Sequence, residues 1–364
     1  METTLETSSL ATKLRERILR GGPISFRDWM ASALYDPELG YYCRADRKRW
    51  GREGDYRTSP ELCSLFPGTF ARYFGNLYEE LGRPRHWTIL EVGSGEGVFA
   101  AGVLKTLRAY WPEVFAATTY VIDEISPASR ELAAERLREF RDRVRFESLS
   151  RVEINPGVVF TNEFLDALPI HSAVLEQEMS ELFVGLDEIG RFVWKQGELA
   201  PELVPRVKRF LELSDITARG QSAEVCLDAE DWLNTVAEKM RRGYVVTVDY
   251  GVAGASGTTL RGFKRHQFVD ELLAQPGEID ITASVNWDFV KSFGAQLGLE
   301  TVDFQRQDQF LLAAGLLEQL ELESTSCRDE AERLQLSTSA REMILPEGMS
   351  THFQVLVQRV KSKR

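Results

Sequence analysis

The sequence predicts a doubly wound α/β fold on a mainly parallel sheet, and three observations carry that prediction. An apolar strand, TILEVG, runs straight into the glycine loop GSGEG and the helical pattern VFAAGVLKTLRAY. Apolar strands then alternate with helices along the chain. With 364 residues, the chain has room for a large core plus a substantial insertion.

The elements follow in order. Before Trp87 the pattern is helical in SFRDWMASALYDP and SPELCSLFPGTFARYFGNLYEELG, separated by the arginine-rich YYCRADRKRWGREGDYRT, so residues 1–86 are expected to form an N-terminal helical cap with a covering loop. The first core strand is Thr88 to Gly93 and the second is Thr118 to Ile125. The helix SPASRELAAERLREF comes next, with Ser126 as N-cap and Pro127 at its first position. Val144 to Ser148 is the third strand and GVVF the start of the fourth. Between Ile170 and Phe210 the period shortens to alternating runs around a DEIG turn, which predicts an inserted β-hairpin. That insertion is expected over 170–242, closing with the helix AEDWLNTVAEKM. Residues 87–169 and 243–364 form the core, with YVVTVDYG as the fifth strand, an irregular substrate loop over 252–284, further helices and the terminal strand HFQVLVQRV.

Composition narrows the function classes. Hydrophobic residues at 43% and charged residues at 27% give no sign of disorder or of a fibrous repeat. The longest apolar stretch, Phe310 to Leu317, is far too short for a membrane span. A net charge of −12 carries no footprint for nucleic acid and favours a cationic substrate. Cys43, Cys63, Cys226 and Cys327 lack metal-knuckle or disulfide spacing, and no metal is expected. The N-terminus carries Glu2 and Glu6 and no continuous apolar core, which places the protein in the cytoplasm.

The glycine loop locates a ligand. Gly93 and Gly95 let the backbone turn sharply, and the helix that follows offers free N–H groups to an electron-rich group. Asp123 or Glu124, at the end of the neighbouring strand, suits the two hydroxyls of an adenosine ribose. Both NAD and S-adenosylmethionine need such a residue, but Val98 stands where the dinucleotide fingerprint wants a small one. A second cluster follows the fourth strand in FTNEFLDALPIH, where Asn162, Glu163 and Asp166 leave a buried run. Asp249 and Tyr250 end the fifth strand and are substrate-pocket candidates, with a loop-capping Asp as the alternative. Arg261, Lys264, Arg265 and His266 form a basic cluster, whose plain reading is a solvated loop. His86 and His171 flank strands and fit local backbone bonding better than catalysis, and Trp50 suits either a gate or a loop anchor.

Eight stretches together resemble the MidA family of class I S-adenosylmethionine-dependent methyltransferases, related to the mitochondrial complex I assembly factor that methylates a protein arginine. They are GPISFRDWMASALYDPELGYY, GDYRTSPELCSLF, LEVGSGEGVFA, IDEISPASR, TNEFLDALPIH, VVTVDYG, TLRGFKRHQFVDELLAQPGEIDITASVNW and LPEGMSTHFQVLV, in the same order over nearly the whole chain. The resemblance implies a seven-stranded sheet with a reversed last strand, and S-adenosyl-L-methionine as cofactor. It assigns the cofactor site to Gly93, Gly95 and Glu124, with Thr58, Ser59 and Pro60 closing over it; Glu91 is expected beside them, and Asn162 is expected to orient either the acceptor in catalysis or the methionine part of the cofactor. Arg261 and His266 become candidates for the substrate mouth.

The implied reaction is direct transfer of a sulfonium methyl to a nucleophile, so the protein supplies alignment and electrostatics. A guanidinium acceptor on a protein partner calls for carboxylates that accept parallel hydrogen bonds. Glu163 and Asp166 share a face if a helix starts at this point; alternatively Asp166 caps the turn before Pro169 and Glu163 acts alone. Two competing readings are an NAD-linked oxidoreductase and an assembly factor that binds a client without turnover.

Overall fold

The computed structural model describes residues 9–44, 64–175, 179–216, 222–252, 258–264, 267–345 and 352–360. Their contacts fall into two units. One gathers the described residues within Met1–Lys48, Leu165–Trp232 and Val252–Phe293; the other gathers those within Arg49–Phe164, Leu233–Gly251 and Gly294–Arg364.

The second unit holds the parallel sheet. Its strands are β1 (Trp87–Val92), β2 (Thr118–Asp123), β3 (Val144–Phe146), β4 (Gly157–Asn162), β5 (Gly243–Val252), β6 (Leu299–Arg306) and β7 (Phe353–Val360). They lie side by side in the order β6-β7-β5-β4-β1-β2-β3. The pairs from β3 across to β5 are parallel, and β7 runs antiparallel to both neighbours. Strand order thus reverses between β1 and β4, and a ligand crevice opens outside the carboxyl ends of parallel strands at such a switch point.

Two helices set the geometry there. Helix α1 (Leu65–Glu80) and helix α2 (Val98–Tyr110) bury their apolar stripes on one face of the sheet. Phe99 of α2 stacks on Phe160 of β4 with ring centroids 4.2 Å apart and planes 7° from parallel, and Phe70 and Phe74 of α1 meet the same ring at 5.1 and 5.8 Å. Phe160 is fully buried, so this aromatic stack anchors α2 and with it the glycine loop at the helix's start. The next helix, α3 (Pro127–Arg136), begins as expected, with Ser126 Oγ accepting from the Ser129 N–H.

The first unit has its own sheet. His171–Leu175, Met179–Leu186 and Phe192–Glu198 pair antiparallel in succession, joined by Ile24–Ser25 and Ser222–Val225. The DEIG turn closes the second of these hairpins: Asp187 Oδ1 accepts from the N–H groups of Ile189 and Arg191, and Gly190 takes φ +80°. The stretch after Gly251, expected to be irregular, carries a small antiparallel sheet of Arg261–Lys264, Gln267–Phe268 and Asp280–Thr282. Its strands have only two to four residues, too few for a period-2 pattern to stand out. Among the described residues, no helix is long and apolar enough to cross a membrane.

Candidate active site

Within the second unit, the carboxyl ends of β1, β2, β4 and β5 converge on the switch point. From β1 the chain enters Gly93-Ser94-Gly95-Glu96-Gly97, whose three glycines all have positive φ (+73°, +54° and +73°). Two of them are also held by close neighbours. A Cβ on Gly93 would meet Phe164 Cδ2 at 3.3 Å, and a Cβ on Gly97 would meet Ala133 Cβ at 3.0 Å. Gly97 thus lets α2 approach α3, while Gly93 seats the loop against the chain leaving β4. Among the described residues no side chain caps α2, and its first N–H groups lie at the loop, where they suit an electron-rich group.

The two acids ending β2 have different duties. Asp123 Oδ2 accepts from the Leu149 N–H at 2.8 Å, tying down the turn after β3, and burial raises this carboxyl above its ordinary value. Glu124 serves the glycine loop: Oε2 accepts from the Gly95 N–H and Oε1 from the Ser126 N–H, both at 2.8 Å. A carboxylate accepts several hydrogen bonds at once, so holding the loop is compatible with a role toward ribose hydroxyls.

Beneath the loop, Glu91 of β1 is only 4% exposed and accepts the Tyr120 hydroxyl of β2 at 2.7 Å. Burial, reinforced by the charge of Glu124 and opposed by the Tyr120 bond, pushes its carboxyl up to about 8. Glu91 is therefore neutral at pH 7 in the fold and ionised when the chain unfolds. The native state binds the extra proton, so this contribution to stability is complete below pH 4.5 and lost as pH rises through about 8. Glu91→Gln should remove that slope: in denaturant titrations, wild type should lose on the order of 4 kcal/mol relative to the variant across this window. Parallel pH profiles would refute it.

At the end of β4, Asn162 Nδ2 donates to Glu163 Oε1 at 3.0 Å. Glu163 has φ +51°, the left-handed region, where a non-glycine residue costs about 1–2 kcal/mol. Its N–H donates to Val248 C=O at 2.9 Å, and the following N–H, of Phe164, donates to Asp249 Oδ2 at 3.1 Å. No helix runs from Glu163 to Asp166. The backbone bends at Glu163 and forms a turn over Leu165–Leu168, with the Leu168 N–H to Leu165 C=O at 3.3 Å. The shared helical face expected of the two acids is not formed, because a left-handed residue interrupts the run at its first position. Asp166 belongs to the first unit, where it is 4% exposed and its carbonyl accepts from the Ala283 N–H at 2.9 Å.

The other expected site residues are distributed as follows. Asp249 is fully buried and also accepts from the Tyr250 N–H at 2.9 Å, and the Tyr250 ring packs edge-on against Phe353. Arg261 is exposed on a strand of the first unit, opposite Thr282. Thr58, Ser59, Pro60, Trp50, Arg265 and His266 lie outside the described residues. His171 is buried against Glu181 with Nδ1 and Oε1 2.7 Å apart, a structural pairing within the first unit's sheet. Two contributors escaped the sequence reading, Tyr120 and Phe164. Tyr120 stands in the buried run Tyr120-Val121-Ile122, and a polar handle within such a run was the available signal. Phe164 had none, since its partner Gly93 is remote in sequence.

A family profile for S-adenosyl-L-methionine-dependent methyltransferases matches residues 69–305. The mitochondrial protein arginine methyltransferase NDUFAF7 of Danio rerio is 27% identical over 379 residues, covering 95% of this chain and 86% of that protein. Its Drosophila melanogaster homolog, also mitochondrial, is 28% identical over 321 residues, covering 80% and 71%. Among solved structures, a COG1565 superfamily member from Burkholderia thailandensis bound to S-adenosyl-homocysteine aligns with a TM-score of 0.81 at 28% identity, covering 98% of this chain and 93% of that one. The mitochondrial relatives overturn the cytoplasmic placement. That placement rested on Glu2, Glu6 and the missing continuous apolar core near the start of the chain, which are signals of composition alone.

Proposed function

Because the chain belongs to the family of S-adenosyl-L-methionine-dependent methyltransferases, we propose that it methylates an arginine nitrogen of a protein partner. S-adenosyl-L-methionine, when bound, supplies a methyl group on a positively charged sulfur. The residues fit such a cofactor: the loop of left-handed glycines and the start of α2 can take its amino-acid end, and Glu124 its ribose hydroxyls. Glu91 underlies this loop, and Asn162 flanks it at the end of β4.

The observation that carries the acceptor class is Glu163. It is a carboxylate at the carboxyl end of β4, on a left-handed residue and hydrogen-bonded by Asn162. An arginine guanidinium is a planar cation and a fork of donors, and a fixed carboxylate orients it while drawing positive charge off the nitrogen that attacks. In the transfer a new N–C bond would form as the C–S bond breaks, leaving S-adenosyl-homocysteine, and the proton lost by the nitrogen would pass to the Glu163 carboxylate or to water. The relatives named as protein arginine methyltransferases support the same acceptor. The NAD-linked alternative falls with the family assignment.

Incubating the protein with isotopically labelled S-adenosyl-L-methionine and a mitochondrial protein extract should place label on arginine, identified as methylarginine by mass spectrometry. Label on lysine or a small molecule would replace the acceptor class. Cofactor binding with no label on any acceptor would favour the reading of an assembly factor without turnover.

A further inference from the structure

We propose that Asp249 is a positioning residue for Glu163, acting through the backbone and not by touching the acceptor. This rests on the reading of Glu163 as the acceptor-orienting carboxylate. In-register pairing between β4 and β5 ends at Asn162 opposite Val248, one residue before Asp249. Where the ladder stops, β5 continues to hold the departing chain. The Val248 carbonyl takes the N–H of Glu163 at 2.9 Å, and the Asp249 carboxylate reaches over to take the N–H of Phe164 at 3.1 Å. Both N–H groups that bracket the Glu163 Cα are thereby fixed to one rigid strand.

This matters because Glu163 is left-handed. A glutamate leaves that conformation readily unless its surroundings determine it. Asp249 is well suited to do so: its side chain is fully buried, and its other oxygen is engaged by the Tyr250 N–H at 2.9 Å, so the carboxylate has little freedom to swing. A third restraint comes from the cofactor loop, since the Phe164 ring lies against Gly93, close enough that a Cβ there would sit 3.3 Å from Cδ2. The glycine loop, Phe164 and Asp249 therefore form one chain of contacts around the turn that bears Glu163. Asp249, in this arrangement, is spent on the protein's own backbone and is not the substrate ligand that its strand-end position suggests.

A double-mutant cycle tests this, with Asp249→Asn, Glu163→Gln and the combination, each measured for kcat, for KM of the acceptor and for cofactor Kd. Asn keeps the volume but replaces one acceptor oxygen with a donor. Asp249→Asn should lower kcat by roughly 100-fold, the loss that a displacement of about 1 Å carries, while cofactor Kd stays within about threefold. The double variant should be no slower than Glu163→Gln alone within about threefold, because both changes remove the same interaction. Asp249→Glu, which keeps both acceptor oxygens on a longer arm, should recover part of kcat and gives a readable variant if Asp249→Asn fails to fold. Losses that multiply in the double variant would overturn the proposal and leave the Glu163 reading intact. A Glu163→Gln enzyme with wild-type turnover would overturn both.

Discussion

Gly93→Val should weaken S-adenosyl-L-methionine binding by at least about 100-fold, the largest effect expected of any single change in the cofactor loop. Two penalties add at this position. Gly93 has φ +73°, and a β-branched residue in the left-handed region carries strain of about 1–3 kcal/mol. The new Cβ would sit 3.3 Å from Phe164 Cδ2, and valine's two methyl groups extend beyond it. Relief requires the loop to move away from Phe164. That movement also disturbs the Gly95 N–H held by Glu124, because only Ser94 separates the two glycines. With each 1.4 kcal/mol worth about tenfold in Kd, the combined penalty sets the expected loss. Isothermal calorimetry reads it directly. A Kd within threefold of wild type, in a variant that melts like wild type, would mean that the cofactor does not rest on this loop.

Glu163→Gln should leave cofactor Kd nearly unchanged and lower kcat by about 100-fold to 1,000-fold, the range for removing one preorganised electrostatic group from a transition state. Gln is isosteric and can still interact with Asn162, so the turn should persist. What disappears is the negative charge facing the guanidinium as it gives up a proton and gains a methyl. A loss confined to cofactor affinity would move Glu163 into the cofactor site, and unchanged turnover would assign acceptor orientation to another group. Against Gly93→Val the contrast is the informative result: one variant should lose the cofactor and keep no measurable chemistry, the other should keep the cofactor and lose the chemistry.

Much of this site was legible in the chain because the signals were local. GSGEG between an apolar strand and a helical pattern specified a strand–loop–helix unit, and the left-handed φ values at Gly93, Gly95 and Gly97 are what only glycine adopts without strain. Ser126-Pro127 specified the start of α3, and the cap bond to Ser129 is there. The acid at the end of β2 was legible as a pair, Asp123 or Glu124. The pair divides only through their partners, Leu149 for one and the Gly95 loop for the other.

The reading failed where distance along the chain decided conformation. Glu163 and Asp166 have helical spacing, and nothing between them forbids a helix. The bend comes from Asp249, 85 residues beyond Phe164, and from Val248 beside it. The contacts of the described residues 9–44 group them with the hairpins that follow Leu165, more than a hundred residues away along the chain.

By itself, then, the sequence determined the repeating strand and helix units, the glycine loop and the acids available to a methyl-transfer site, because apolar periodicity, backbone freedom and capping act over a few residues. Only the tertiary structure decided the order β6-β7-β5-β4-β1-β2-β3, the neutral Glu91 under the loop, and the left-handed turn at Glu163. Strand pairing, desolvation and backbone clamping are set by groups that meet only when remote segments pack together, and no local pattern in the chain records which groups those will be.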